Sequence, residues 1–246
     1  MTRLLSAEIF KLRTTRTFYG LVGGSLALVL TIVILVTALV NFSPSDRPVT
    51  DMMGVAGFVQ VFALMLGILS ITTEFRHGTI TPSLLVIPDR IRLVLAKLGA
   101  SVIVGLVLGL VSTVLVALIV KGIGGLRDLN TTGDVVPLIA GGTIATGLYA
   151  ALGVGVGAVM RNQVGAIIGS LVYLFVLENL LQIIPGVDDV LRKYGIGGVS
   201  GGLTNTNTDS SNDLLGQVPA GLLFALYCAI FIGVGVTLMR RRDVTA

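Results

Sequence analysis

The chain has 246 residues, of which 54% are hydrophobic and only 12% charged. An ordinary soluble domain carries about 25% charged residues, so a water-soluble globule is excluded. The single cysteine, Cys228, excludes an intrachain disulfide and a cysteine metal cluster, while the net charge of +4 is informative only once it is placed along the chain.

The chain opens on a basic segment, 1–16. Leu5, Ile9 and Leu12 fall there at i, i+4 and i+7, and Arg3, Lys11 and Arg13 lie off that stripe. The pattern suits an amphipathic helix lying in the inner membrane interface, its bases among anionic headgroups. Leu4 and Phe10 blur the stripe, and an equal reading is that the bases only enforce topology. Bases before an apolar run also resemble a signal peptide. This run is too long for a signal core of about 7–15 residues, which predicts a retained first span.

Six stretches without Asp, Glu, Lys, Arg or His follow, at 17–45, 52–73, 98–120, 135–160, 162–177 (apolar on to 184) and 214–239. Each supplies the ~20 apolar residues a helix needs to cross ~30 Å of hydrocarbon. A helix also satisfies every backbone polar group within its own segment, as lipid demands. The alternating ten-residue segments of a membrane barrel are absent. The expected fold is all-α: a polytopic membrane protein with six transmembrane helices in one domain, 1–246. The spans are placed at about 18–41, 52–73, 95–120, 135–160, 163–184 and 214–239.

Lys and Arg set the orientation, because cytoplasmic loops are enriched in them. With both termini in the cytoplasm, Arg3, Lys11, Arg13, Arg16, Arg76, Arg90, Arg92, Lys97, Arg161, Arg240, Arg241 and Arg242 lie inside, twelve in all. Five lie outside: Arg47, Lys121, Arg127, Arg192 and Lys193. Both termini are therefore expected in the cytoplasm. The longest outer loop is 185–213. Within it 188–194 suits about two helical turns, whereas 195–212 is rich in Gly, Thr, Asn and Ser and offers few apolar residues to fix it.

The cytoplasmic segment 74–94 carries the most information. It reads Glu74-Phe75-Arg76-His77-Gly78-Thr79-Ile80, then Thr81-Pro82-Ser83-Leu84-Leu85-Val86-Ile87-Pro88. Gly78 permits a turn that a side chain would resist. Thr81 and Pro82 have the form of an N-cap and first helical residue, and Pro88 limits the helix to under two turns. Asp89-Arg90-Ile91-Arg92 leads back into span 3, with Lys97 placed to snorkel. A short, stiff, mostly apolar helix at the cytoplasmic surface suits docking into a partner's groove. The plain alternative is an interfacial turn carrying topology charges.

Glu74-Phe75-Arg76-His77-Gly78-Thr79-Ile80, the continuation Leu84-Leu85, Pro88, Arg90, Leu95 and Lys97, and the terminal Arg241-Arg242-Asp243-Val244 together resemble the permease family of type-2 ATP-binding-cassette exporters. Chain length, span number and inward termini extend the resemblance over essentially the whole chain. It implies that the loop after span 2 is a coupling element. Glu74, Arg76, His77, Gly78 and Thr79 would shape it, and Leu84, Leu85 and Ile87 would sit near an ATPase. Pro82 departs from the ordinary helix former expected at that position. The chain contains no G-x-x-x-x-G-K-[ST] and so lacks that phosphate cradle. The resemblance thus implies no catalysis and no cofactor on this chain. ATP and Mg would be held by two copies of an ATPase subunit, and a second permease copy or paralogue would complete the path. It also implies a multi-pass protein of a bacterial plasma membrane, in contact with lipid and not with nucleic acid.

Polar side chains inside hydrocarbon need a reason. Span 5 is densest in them, with Tyr173, Glu178, Asn179 and Gln182. The last three fall at i, i+1 and i+4 and are expected to share a face near the outer end. They would line a polar exit, unless Glu178 simply reaches the outer interface. Span 2 presents Phe58, Phe62 and Met65 at helical spacing with Gln60 nearby, a candidate path that ordinary packing also explains. Small-xxx-small pairs at Gly20/Gly24, Gly105/Gly109, Gly153/Gly157 and Gly165/Gly169 predict close helix approach.

Two other classes remain. An ion-coupled secondary transporter would have to use Glu178. An intramembrane enzyme would need a constellation such as paired acids or H-E-x-x-H, and the chain has one histidine, His77.

Overall fold

The computed structural model describes residues 2–40, 48–79, 85, 89–123, 135–204 and 214–241. Among them the secondary structure is helical. A short α1 (Thr2–Thr14) precedes α2 (Arg16–Leu39), α3 (Pro48–Arg76), α4 (Arg90–Ile123) and α5 (Val135–Met160). Then come α6 (Gln163–Leu181), α7 (Asp188–Tyr194), α8 (Ile196–Thr204) and α9 (Gln217–Arg241). The six long helices, α2 to α6 and α9, are each long and apolar enough to cross a membrane.

Glycine explains why α5 is the hub. Hydrophobicity drives little association between helices already in lipid, so close packing at small residues carries it. On α3, Gly67 lies against the Ala150 carbonyl of α5; on α5, Gly153 lies against the Leu64 carbonyl of α3. A methyl at either place would overlap backbone. Gly105 of α4 leaves room for the Thr146 carbonyl, where a Cβ would sit 2.9 Å away. Gly155 does the same for Phe231 of α9, at 2.8 Å. Two of the glycine pairs marked in the sequence, Gly105/Gly109 and Gly153/Gly157, therefore pack as close-approach positions. Gly20 and Gly24 meet nothing within 4 Å, and Gly165 and Gly169 make room for the Met160 side chain rather than for another helix.

The helices differ in how far the chain itself surrounds them. The central window of α5 is 61% buried, that of α2 or α9 22%, and that of α6 only 11%. One core cluster joins α2, α3, α4 and α5 around Val33, Val59 and Val116. Another joins α3, α5, α8 and α9 around Leu64, Tyr149 and Phe224, the two rings meeting edge to face at 5.0 Å.

Over 195–204 the structure corrects the reading of 195–212 as a stretch with little to fix it; 205–212 lie outside the described residues. Residues Ile196–Thr204 form a helix with Val199, Ser200, Gly202, Leu203 and Thr204 buried. Val199 and Leu203 stand one turn apart and enter the α3/α5/α9 core. Glycine brings the backbones together: Gly141 of α5 lies against the Leu203 carbonyl, and a Cβ at Gly202 would lie 2.6 Å from the Leu215 carbonyl. The Ser200 hydroxyl donates to Gln60 Oε1 at 2.8 Å. Gln60 lies about 24 Å from the Arg76 end of α3 at 1.5 Å per residue. Helices α7 and α8 thus form a hairpin that turns at Gly195 and re-enters the bundle.

Candidate functional site

The segment between α3 and α4 is held at both ends. At the α3 end the His77 amide bonds the Thr73 carbonyl at 3.0 Å, and Gly78 takes φ +66°. That left-handed conformation is the one expected of it, and glycine adopts it without Cβ strain. At the α4 end Asp89 Oδ1 accepts from the amides of Ile91 at 3.0 Å and Arg92 at 3.4 Å. The arrangement is an N-cap that satisfies otherwise orphaned helix donors. His77, Gly78 and Thr79 are exposed, and Leu85 is 79% exposed. Leu84 and Ile87, with Thr81, Pro82 and Pro88, lie outside the described residues.

Beneath this segment four charges meet. Lys97 Nζ donates to Glu74 Oε1 at 2.7 Å and to Glu8 Oε2 at 2.8 Å. Lys11 Nζ donates to Glu8 Oε1 at 2.9 Å and to Glu74 Oε1 at 3.2 Å. Lys97 is only 3% exposed, so the expectation that it snorkels to the surface is corrected. It lies two turns inside α4, and the carboxylates come to it from α1 and α3. Glu8 sits on the stripe of Leu5, Ile9 and Leu12, which faces the bundle; Leu5 Cδ1 lies where a Cβ on Gly99 of α4 would be 3.0 Å away. Sequence reasoning missed Glu8, and its place as a lone acid on an apolar stripe was the signal that could have found it.

Burial pushes the Glu8 carboxyl up, but the ammoniums of Lys97 and Lys11 outweigh burial and hold it below the usual carboxylate range. Burial likewise opposes the charge of Lys11, yet Glu8 and Glu74 outweigh it and raise that ammonium above its usual value. Glu74 Oε2 is buried without a hydrogen-bond partner among the described residues.

Arginines extend the frame to the other helices at this basic end. Exposed Arg76 reaches Gln163 Oε1 of α6 at 3.3 Å. Arg90 donates to the Met239 carbonyl of α9. Arg161 stands at φ +52° between α5 and α6, a conformation that costs a non-glycine residue about 1–2 kcal/mol. Its guanidinium donates to the Leu238 carbonyl at 2.9 Å and lies 5.2 Å from the Phe75 ring centroid. Glycine would suit that backbone but would forfeit both contacts.

Deeper in the bundle, the candidate path residues separate. Phe58 is exposed, Phe62 and Met65 are half-buried, and Gln60 is buried on its bond to Ser200. On α6, Glu178, Asn179 and Gln182 do not share one face, because Glu178 is buried, Asn179 exposed and Gln182 half-buried. Residues Tyr173–Leu177 make a π turn, which loosens carbonyls from the regular ladder. The Asn179 amide donates back to the carbonyls of Leu174 at 3.3 Å and Phe175 at 3.2 Å.

Glu178 is buried against its own chain, 3% exposed. Its Oε1 accepts from the Gly197 amide at 2.7 Å, which ties the turn of the α7–α8 hairpin to α6. A Cβ on Gly197 would lie 3.0 Å from that oxygen, and one on Gly195 would overlap it. Tyr173 is half-buried and lines a cavity beneath the same turn. No group of three or more potential metal ligands occurs among the described residues.

Among known proteins, a family model described as ABC-2 family transporter protein matches residues 4–177, from α1 through the π turn of α6. No curated protein matches the chain.

Proposed function

We propose that this chain, which belongs to the ABC-2 transporter family, is the membrane-spanning half of an ATP-driven exporter. It is a multi-pass membrane protein and a transporter component, and the match over residues 4–177 carries the reading. Two copies, or one copy and a paralogue, enclose the path; two separate ATPase subunits bind ATP and Mg and meet the segment between α3 and α4 from the cytoplasm of a bacterial cell. Glu74, Arg76, His77, Gly78 and Thr79 shape that contact, and Leu84, Leu85 and Ile87 reach the ATPase.

The anchoring of the segment supports this role. A push on it passes to α3 through Gly78 and to α4 through Asp89. The buried charges then engage α1, and the arginines engage α6 and α9. Force delivered at one point therefore moves the basic ends of several helices together, as alternating access requires.

The test is purification from the native membrane in mild detergent, with mass spectrometry of the proteins that stay bound. The expected result is a stoichiometric partner carrying G-x-x-x-x-G-K-[ST], lost on deleting residues 79–87. A permease recovered without any ATPase, yet moving substrate in liposomes under an ion gradient, would overturn the proposal in favour of ion coupling through Glu178.

A further inference from the structure

A cavity of about 620 Å³ lies between α6 and α9, within the size range of small-molecule sites. Leu64 of α3 and Leu152 of α5 form its back, and the hairpin turn at Tyr194, Gly195 and Ile196 forms its roof. At the basic end it is bounded by Met160, whose methyl occupies the space beside Gly165 and Gly169. No lining residue comes from α2 or α4. Its flanking helices turn Ile168 and Val172 of α6 and Leu226 and Ile230 of α9 outward.

Its chemistry is selective. No lining side chain is charged. Glu178 stands behind the backbone of Gly195 and does not line the space, so a cation entering it meets no carboxylate and an anion meets no base. Four of its lining residues bear hydroxyls: Ser170, Tyr173, Tyr194 and Tyr227. Only Tyr227 is engaged, donating to the Tyr194 carbonyl at 2.8 Å. The other three hydroxyls have no hydrogen-bond partner among the described residues. A hydroxyl facing an apolar molecule without a partner is costly, and an acyl chain would offer a partner to none of the three.

We infer that this cavity is a binding site for an uncharged, largely apolar molecule carrying a hydroxyl or carbonyl group that pairs with Ser170, Tyr173 and Tyr194. That the bound molecule is cargo rests on the exporter reading; the binding itself does not. The apolar body fills the space between Leu152 and Phe231, and the polar group lies under the hairpin. Glu178 acts as a positioning residue, holding the roof through Gly197.

The chain contains no tryptophan, so one introduced indole reports alone. Purified permease without ATPase, in nanodiscs, is titrated with bromoundecanol, whose bromine quenches indole fluorescence. Phe231→Trp reports from the cavity wall and Leu222→Trp from the exposed face of the same helix. Should Phe231→Trp aggregate, Val190→Trp on α7 replaces it. Saturable quenching is expected in the cavity and linear quenching at Leu222→Trp. Combining Ser170→Ala and Tyr173→Phe should raise the half-saturating concentration roughly fivefold, the worth of a typical hydrogen bond. Bromododecane, which lacks the hydroxyl, should bind more weakly by a similar factor. Linear quenching at both positions would overturn the site, and equal binding of bromododecane would overturn its polar recognition. Strong quenching by brominated phosphatidylcholine that unbrominated undecanol fails to relieve would make the occupant a lipid, which also sinks the proposal. None of these outcomes depends on an ATPase, so they stand or fall apart from the purification test.

Discussion

Lys97 is the side chain whose surroundings differ most from its sequence context. Apolar residues flank it in the chain, yet Glu8 and Glu74 hold it from 89 and 23 residues away. A buried pair is weak evidence of net stability, but breaking one is expensive because it strands the remaining charge. Lys97→Met is therefore expected to destabilise the protein by about 3–5 kcal/mol, read by thermal unfolding in detergent. Adding Glu8→Gln should recover part of that loss, and strict additivity of the two changes would show that they do not interact. The pKa shifts make a second prediction. Glu8 is held below its unfolded value, so its contribution is present above the ordinary carboxylate range and is lost as pH falls through the depressed value. Lys11 is raised, so its contribution is complete below its unfolded value and is lost as pH climbs through the raised one. Limited proteolysis should accordingly find α1 protected across neutral pH and released at both acid and alkaline extremes. Uniform protection over the whole range would contradict the assignment.

At the scale of elements, the α7–α8 hairpin shows where a composition argument misleads. Glycine-rich sequence reads as loop because glycine favours the unfolded chain, yet Gly195, Gly197 and Gly202 are what allow α8 to pack inside the bundle. Here absent side chains serve close approach rather than freedom. Gly195→Ala places a methyl onto Glu178 Oε1 and is expected to cost about 1–3 kcal/mol, as overpacking does. Hydrogen exchange should then rise over 188–204 and stay unchanged in α3 and α5. Unaltered exchange in the hairpin would mean that the Glu178 contact does not hold it. The π turn belongs to the same lesson. Nothing in the bulky run Tyr173–Leu177 announces it, yet it frees the carbonyls of Leu174 and Phe175 that the Asn179 amide reaches back to.

For the whole molecule, the uneven burial of the spans points outward. Helix α6 is the least covered, and it turns Phe175, Val176 and Leu180 away from its own chain. If two permeases pair along α6, Val176→Cys should give a disulfide-linked dimer in the membrane under mild oxidation, whereas Leu118→Cys on exposed α4 should not. The native Cys228 is buried and will not confuse the result. Monomer from Val176→Cys under conditions where the ATPase copurifies would place the pairing surface elsewhere.

The sequence by itself determined the spans, because crossing hydrocarbon demands long uncharged helices and leaves few alternatives. It also marked Gly78 as a turn, since backbone conformation at a helix end is a local matter. The resemblance singled out Glu74–Thr79 as the segment to inspect. What Glu74 touches was not. Tertiary structure alone decided that Lys97 is buried, that Glu8 faces inward, that Arg161 holds a strained turn for two distant contacts, and that a glycine-rich stretch becomes the buried helix α8. Each of these depends on partners brought together by packing from far along the chain, and no periodicity or composition within a segment encodes the partner it will meet.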